Sequence, residues 1–234
     1  MPKVSIIITA YCPESRAYLN ECVLSCLNLS YKNREIIIVG RQGYEPMYEG
    51  CKTVAPAQKE FWNSTGLNYG ASKAAADSEY YFFVNDDVVL TRNCLQPLVE
   101  AAKMHPLVGQ VMPIGNDMQM RYFFPYTAIG AGGFNPDAQS PYPRGLVFSE
   151  TLCMYATLIS KRVWRDVGPF DESLRGQDDI DYSLRLRQKG YLNAIELSSL
   201  VWHHGGVSAA HTLTEEKRKE AMEIFQQKWN LTEK

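Results

Sequence analysis

At 234 residues, 45% of them hydrophobic and 21% charged, the chain is long enough to bury a full core and falls in the size range of a single α/β domain. A formal net charge of -2 supplies no broad field for nucleic acid or anionic lipid, so no nucleic-acid partner is expected and a phosphate-bearing ligand must be held by a local device such as a metal. No apolar run reaches the roughly 20 residues of a membrane span and no export signal is apparent, which makes the cytoplasm the expected compartment.

Val4-Ser5-Ile6-Ile7-Ile8-Thr9-Ala10 is a continuous run rich in β-branched residues, the pattern of a parallel strand covered on both faces. Residues 16–29 carry Leu19, Val23, Leu24 and Leu27 at helical spacing, and Glu35-Ile36-Ile37-Ile38-Val39 repeats the buried-strand pattern before Gly40. Strand, helix and strand in forty residues open a doubly wound, mostly parallel, Rossmann-like sheet. An Ala-rich helix is expected at 66–76, a strand at Tyr80-Tyr81-Phe82-Phe83-Val84, a helix at 94–105 and a strand at 108–113. Residues 130–143 (GAGGFNPDAQSPYP) concentrate Gly and Pro and predict a loop, of a length that is usually either disordered or functional. Beyond it lie an apolar stretch at 152–159, a short helix at 161–167, an amphipathic helix at 180–188, and a last helix from an N-cap at Thr214 to about Trp229. Six cysteines, at 12, 22, 26, 51, 94 and 153, lie mostly within apolar segments without zinc-type spacing and read as reduced packing residues. Asn63-Ser64-Thr65 matches a glycosylation sequon, taken as chance in a chain expected to stay in the cytoplasm.

Three clusters could carry chemistry. Asn85-Asp86-Asp87 follows the apolar strand 80–84, at the strand end that opens into the ligand crevice of such sheets, where adjacent carboxylates suit Mg2+ or Mn2+. A solvated turn capping a helix is the plainer account of the same residues. Asp178-Asp179-Ile180-Asp181 begins a helix that ends in Arg185, Arg187 and Lys189; this complements the helix dipole, yet crowded carboxylates also raise one another's pKa, as a general base requires. His203-His204-Gly205-Gly206 follows Leu200-Val201-Trp202, and on a strand only one of the two imidazoles can face a given site.

The order of these segments resembles family 2 glycosyltransferases of the GT-A fold. The opening strand, the second strand and Asn85-Asp86-Asp87 are similar to that family's first half. Val167-Gly168-Pro169-Phe170-Asp171-Glu172, then Gly176-Gln177-Asp178-Asp179-Ile180-Asp181-Tyr182-Ser183-Leu184-Arg185 and Gly190-Tyr191, resemble its "GGFDE … EDVDLxxRxxxxGY" signature. The resemblance implies an inverting, metal-dependent transferase acting on a nucleotide-sugar donor and a glycan, lipid-linked or other hydroxyl acceptor, in polysaccharide or glycan synthesis. A lipid-linked acceptor would bring the protein to a membrane surface without a span. Carried over by position, it makes Asp179 the catalytic base with Asp178 beside it, Asp87 and His203 the ligands of a Mn2+ or Mg2+ ion, and Thr9, Ala10, Tyr11 and Asp86 contacts of the donor nucleotide. Asn85 stands where the first Asp of the metal motif is usual. Val39-Gly40-Arg41-Gln42-Gly43 lacks the aspartate with which relatives bind the base, which leaves the nucleotide unassigned. One domain is expected throughout, with residues 1–115 as the donor half, 116–213 as the acceptor and catalytic half, and 214–234 as a C-terminal helix. The loop at 130–143, with Phe134 and Tyr142, is expected near the acceptor. A nucleotidyltransferase and a non-catalytic sugar- or nucleotide-binding module are the rival classes; the first lacks a Gly-rich basic loop after the first strand, and both acid clusters count against the second.

Overall fold

A computed structural model of the chain describes residues 1–10, 12–57, 61–116, 135–207, 211 and 214–231. Tyr11, Phe134 and the 130–134 part of the long loop lie outside the described residues. Among the described residues nine strands form one sheet: β1 (Val4–Ala10), β2 (Arg34–Gly40), β3 (Lys52–Val54), β4 (Tyr80–Val84), β5 (Val88–Leu90), β6 (Val108–Ile114), β7 (Leu146–Ser149), β8 (Ala156–Ser160) and β9 (Leu192–His203). Their order is β3-β2-β1-β4-β8-β6-β9-β5, with β7 also paired to β9. β3, β2, β1 and β4 are parallel; β8 is inserted antiparallel between β4 and β6, and β9 returns parallel to β6. Six of the nine strands therefore share one direction, as a mostly parallel sheet requires.

The β-branched run of β1 is buried at every position because helices cover both faces. Val4, Ile6 and Ile8 join one core with Leu19, Cys22, Val23 and Cys26 of α1 (Arg16–Leu27) and Leu95, Leu98 and Val99 of α3 (Leu95–Met104). Ile7 points the other way, into a core with Leu67 and Ala71 of α2 (Asn63–Ser72), Val163 of α4 (Lys161–Val167), and Tyr182 and Leu186 of α5 (Asp178–Gln188). An aromatic cluster fills this second face, with the Phe83 ring 5.1 Å from both Trp164 and Phe170, and Phe170 4.7 Å from Tyr182. A last helix, α6 (Glu215–Lys228), begins at Thr214, whose hydroxyl accepts the Lys217 amide.

Several boundaries differ from expectation for identifiable reasons. The Ala-rich stretch does not centre α2, which starts three residues earlier and ends at Ser72; the Ala75 amide turns aside to donate to the Glu35 carboxylate at 2.7 Å. The stretch 152–159 becomes a strand only from Ala156. β3, β5 and β7 hold three or four residues each and have no readable period.

Gly70 explains how α2 lies so close to the sheet. A Cβ there would stand 2.4 Å from Ile7 Cγ2 and 2.9 Å from Val39 Cγ2, both on strands buried on both faces. Gly70→Ala is therefore expected to destabilise the fold by about 1–3 kcal/mol through overpacking, although alanine is the better helix former. Thermal unfolding reads this as a drop in Tm of several degrees, and an unchanged Tm would mean that the contact yields freely.

Candidate active site

Parallel strands present their carboxyl ends to one side of an open sheet, and ligands bind in the crevice formed there. β1 and β4 lie side by side with Ile8 opposite Val84, so Thr9 and the turn Asn85-Asp86-Asp87 border the same crevice. A cavity of about 330 Å³ opens at this point, and Thr9, Asp86, Asp87, Asp178, Asp179 and His203 all line it. Of the remaining residues singled out from the sequence, Ala10 is buried in the core and is not among the lining residues. The turn after β4 is tied down from two sides: the Asn85 amide donates to Tyr155 O at 2.9 Å and the Val88 amide to Asn85 O at 3.2 Å. Asp86 and Asp87 are both buried. The Ser15 hydroxyl, from the turn that precedes α1, donates to Asp86 Oδ2 at 2.6 Å.

His203 arrives from the far end of the chain. Its neighbour across the sheet is Val88, because β5 pairs antiparallel with the last residues of β9 (Val88↔His203, Leu90↔Val201). Asp87 Oδ1 and His203 Nε2 stand 3.3 Å apart. Neither atom has a hydrogen-bond partner, nor does His203 Nδ1, although all three are buried. Burying polar atoms without partners is unfavourable, and two such donors facing each other fit a shared divalent cation, which both could ligate. Among the described residues no cluster of three His, Cys, Asp or Glu side chains forms a metal cage. The pair thus suits an ion that completes its shell with water and substrate oxygens, as Mg2+ and Mn2+ do. Burial raises the Asp87 carboxyl, but the His203 ring and the Val207 amide more than offset this and hold it below its usual range. The imidazole is oriented by stacking on Tyr155, with centroids 4.8 Å apart, while the backbone that carries it is held by the His203 amide, which donates to Asn116 Oδ1 at 2.6 Å. His204 faces elsewhere, against Tyr18 and Glu21, as strand alternation predicts.

The second acid cluster divides. Asp178 and Asp179 line the cavity, whereas Asp181 is turned into the protein and paired with Arg185 at 2.7 Å and Lys228 at 2.8 Å. Asp179 Oδ1 accepts the Ile180 amide at 2.7 Å. Burial pushes both cavity carboxyls up; the Asp179 charge adds to this at Asp178, while main-chain amides oppose it at each. Buried carboxylates with raised proton affinity are what a general base near neutral pH needs.

Several lining residues were not legible beforehand. Asn63 and Ser64, part of the apparent sequon, form the start of α2 at the cavity, and the Thr9 hydroxyl donates to Asn63 Oδ1 at 2.6 Å. Trp62, Arg175 and Arg218 complete this side. The described part of the long loop, residues 135–143, supplies no lining residue and is tied to Arg92, which bonds Pro136 O at 2.8 Å and Asp137 at 2.6 Å. At Gly40 the fold leaves no room for a carboxylate side chain after β2. The chain makes a tight turn in which Arg41 and Tyr44 exchange main-chain hydrogen bonds, and a Cβ at Gly40 would stand 2.4 Å from Tyr44 O.

The Glycosyl transferase family 2 profile matches residues 5–157. A Haemophilus influenzae protein named as an uncharacterized glycosyltransferase is 31% identical over 105 residues, 41% of this chain and 40% of that protein. The crystal structure of GalNAc-T7 with UDP, GalNAc and Mn2+ superposes with a TM-score of 0.65 at 13% identity, over 87% of this chain and 44% of that one, a likeness of fold. The chain spans less than half the length of either protein. The family match takes in Thr9, Asp86 and Asp87; Asp178, Asp179 and His203 lie beyond it and stand on their geometry.

The buried carboxyl pair has a signature in stability. An acid whose pKa is raised in the folded state binds more protons there than in the unfolded chain once pH exceeds its ordinary value of 3.8, so stability falls as pH rises from that point. Asp178→Asn removes that loss. Its Tm relative to the parent protein is expected to rise steadily between pH 4 and pH 8, and a difference that stays flat or reverses would show that the pair carries no such strain.

Proposed function

We propose, from the premise that the chain belongs to glycosyl transferase family 2, that it moves a sugar from a nucleoside-diphosphate sugar to an acceptor hydroxyl with inversion at the anomeric carbon. The observation that carries this reading is one cavity that holds both the Asp87–His203 pair, whose facing atoms make no hydrogen bond, and the raised carboxyls of Asp178 and Asp179. Leaving-group stabilisation and proton removal are the two demands of a single displacement, and each pair answers one of them.

Asp87 and His203 would hold a divalent cation, Mn2+ or Mg2+, which when bound neutralises charge on a departing diphosphate. Thr9 and Asp86 border the nucleoside, with Ser15 fixing the Asp86 carboxylate. Asp179 takes the proton of the acceptor hydroxyl as its oxygen bonds to the anomeric carbon and the bond from that carbon to the diphosphate breaks. Asp178, more deeply buried, is raised further by burial and by the Asp179 charge, and so holds a proton beside the base. On this reading residues 1–115 bind the donor, 116–213 bind the acceptor and carry the base, and the part from 214 onward contributes α6 as a cover. Glycan or polysaccharide assembly follows as the setting. No described helix is long and apolar enough to cross a membrane, and a lipid-linked acceptor at a membrane surface is compatible with that.

Incubation with a panel of nucleotide sugars and Mn2+, watching for slow donor hydrolysis, tests the reaction class and identifies the donor together. Hydrolysis of one donor is the expected result; binding without turnover would favour a non-catalytic module, and pyrophosphate-dependent exchange a nucleotidyltransferase. Asp179→Asn is expected to keep Mn2+-dependent donor binding and to lose about 10²–10⁴-fold in transfer, the range of general-base contributions. Unchanged transfer removes Asp179 from that role. Asp87→Ala is expected to weaken binding of the free nucleoside diphosphate in Mn2+ to the level seen in EDTA. Calorimetry reads this directly, and equal affinity in both proteins would rule out the metal pair.

A further inference from the structure

The acids of the cavity come from the turn after β4 and the start of α5, but three other elements bring it positive charge and hydrogen-bond donors. Arg175 lies in the segment leading into α5, and its guanidinium sits 3.4 Å above the Trp62 ring, which Lys217 approaches at 5.1 Å. Arg218, on α6, lines the cavity as well; no carboxylate pairs with it among the described residues. Lys217 and Arg218 stand at the start of their helix, where the dipole disfavours cations, so local helix energetics do not account for them. The third contribution comes from α2. Its N-cap, Trp62, makes no side-chain cap bond, which leaves the first-turn amides open. Ser64 lines the cavity at 1% exposure, and its hydroxyl has no partner.

We infer that these groups form an oxyanion subsite and that the acceptor carries a phosphate or carboxylate which they bind. The assignment to the acceptor rests on the function proposed above. There the donor's diphosphate belongs with Asp87 and His203, at the ends of β4 and β9. Arg175, three residues before Asp178, stands with the acids that meet the acceptor, and through its contact with Trp62 and the shared cavity it brings Ser64 of the donor half and Arg218 of α6 to the acceptor as well. Guanidinium groups, an open helix N-terminus and a buried hydroxyl share one preference, for a compact oxyanion. They also offset the four carboxylates of the cavity, which would otherwise repel an anionic substrate.

The test needs neither donor nor metal, so its outcome is separable from that of donor hydrolysis. Glucose 6-phosphate, glucuronate and glucose are titrated into the full chain in EDTA by calorimetry. Either anion, or both, is expected to bind while glucose does not, and the tighter of the two names phosphate or carboxylate as the acceptor group. Arg218→Gln, at an exposed position that folding tolerates, is expected to weaken that binding about tenfold, the size of a charged hydrogen bond; Arg218→Lys should restore part of it. The inference is overturned if neither anion binds, if glucose binds equally well, or if Arg218→Gln leaves the affinity unchanged. It is overturned as well if binding appears only with Mn2+, which would assign the anion to the Asp87–His203 pair.

Discussion

The site depends on three antiparallel residue pairs between β5 and the end of β9. Asp87 immediately precedes Val88, and Val88 pairs with His203, so the carboxylate and the imidazole meet because the register is what it is. A slip of one residue would put Trp202 or His204 opposite Val88 and turn His203 to the other face. The His204 amide extends the ladder by one rung, donating to Asp87 O at 2.9 Å. The pairing is possible because β9 changes course partway. Against β6, Pro113 pairs with Glu196 but Ile114 with Leu200, so residues 197–199 bulge out before the strand reaches β5. Buried hydroxyls hold the bulge: Ser199 donates to Cys94 O and Thr91 to Leu200 O, each at 2.7 Å. A distortion in the last third of the chain thereby completes a site begun by the strand at 80–84.

That convergence creates an electrostatic difficulty, which is resolved differently at each acid. Four carboxylates share one cavity, and their mutual repulsion is strongest where water is least available. Asp86 is satisfied by the Ser15 hydroxyl. Asp87 is held ionised by His203 and the Val207 amide, in spite of burial. Asp178 and Asp179 move the other way, towards holding a proton. The environment thus separates Asp87, held ionised, from Asp178 and Asp179, whose proton affinity is raised. Such separation of neighbouring groups is how one site supports both charge stabilisation and proton transfer at a single pH.

The strands β1, β2 and β4 were legible because a strand covered on both faces needs an uninterrupted apolar run, and little else in a sequence produces one. Choosing His203 over His204 followed from likeness to the family and agreed with the alternation of side chains along a strand. The likeness also singled out Asp178 and Asp179, since acids at the start of a helix have a sufficient local explanation in the dipole. Trp62, Arg175 and Arg218 could not be read at all. Their roles arise from contacts between α2, the segment before α5, and α6, and chain order does not say that the last helix folds back over the crevice. The Ala-rich composition of 66–76 points past the true position of α2, because Gly66 and Gly70 set that position by letting the helix approach Thr9 and Ile7. Short strands such as β5 were missed for a simpler reason: three residues carry no period, though one of them fixes the site.

α6 shows how a weakly apolar element can still be placed accurately. It buries only Ala221 and Phe225, too little apolar surface to set its position. Its C-terminal end is instead fixed by polar anchors. Lys228 reaches Asp171 at 2.6 Å and Asp181 at 2.8 Å, and Trp229 Nε1 donates to Asp181 at 3.1 Å. Burial works against ionisation of Asp171, yet Lys228 and Ser173 bring its carboxyl down to about 2. Asp181 is fully buried and also binds Arg185, so a shift of the helix would strand a charge without its partners. Such contacts are directional where apolar packing is not, and a rigid helix transmits their position along its axis. Ten residues separate Lys228 from Arg218, about 15 Å at the helical rise, and that distance brings Arg218 to the cavity. Asp181, the member of the second acid cluster that faces away from the cavity, thus helps to determine which cation enters it.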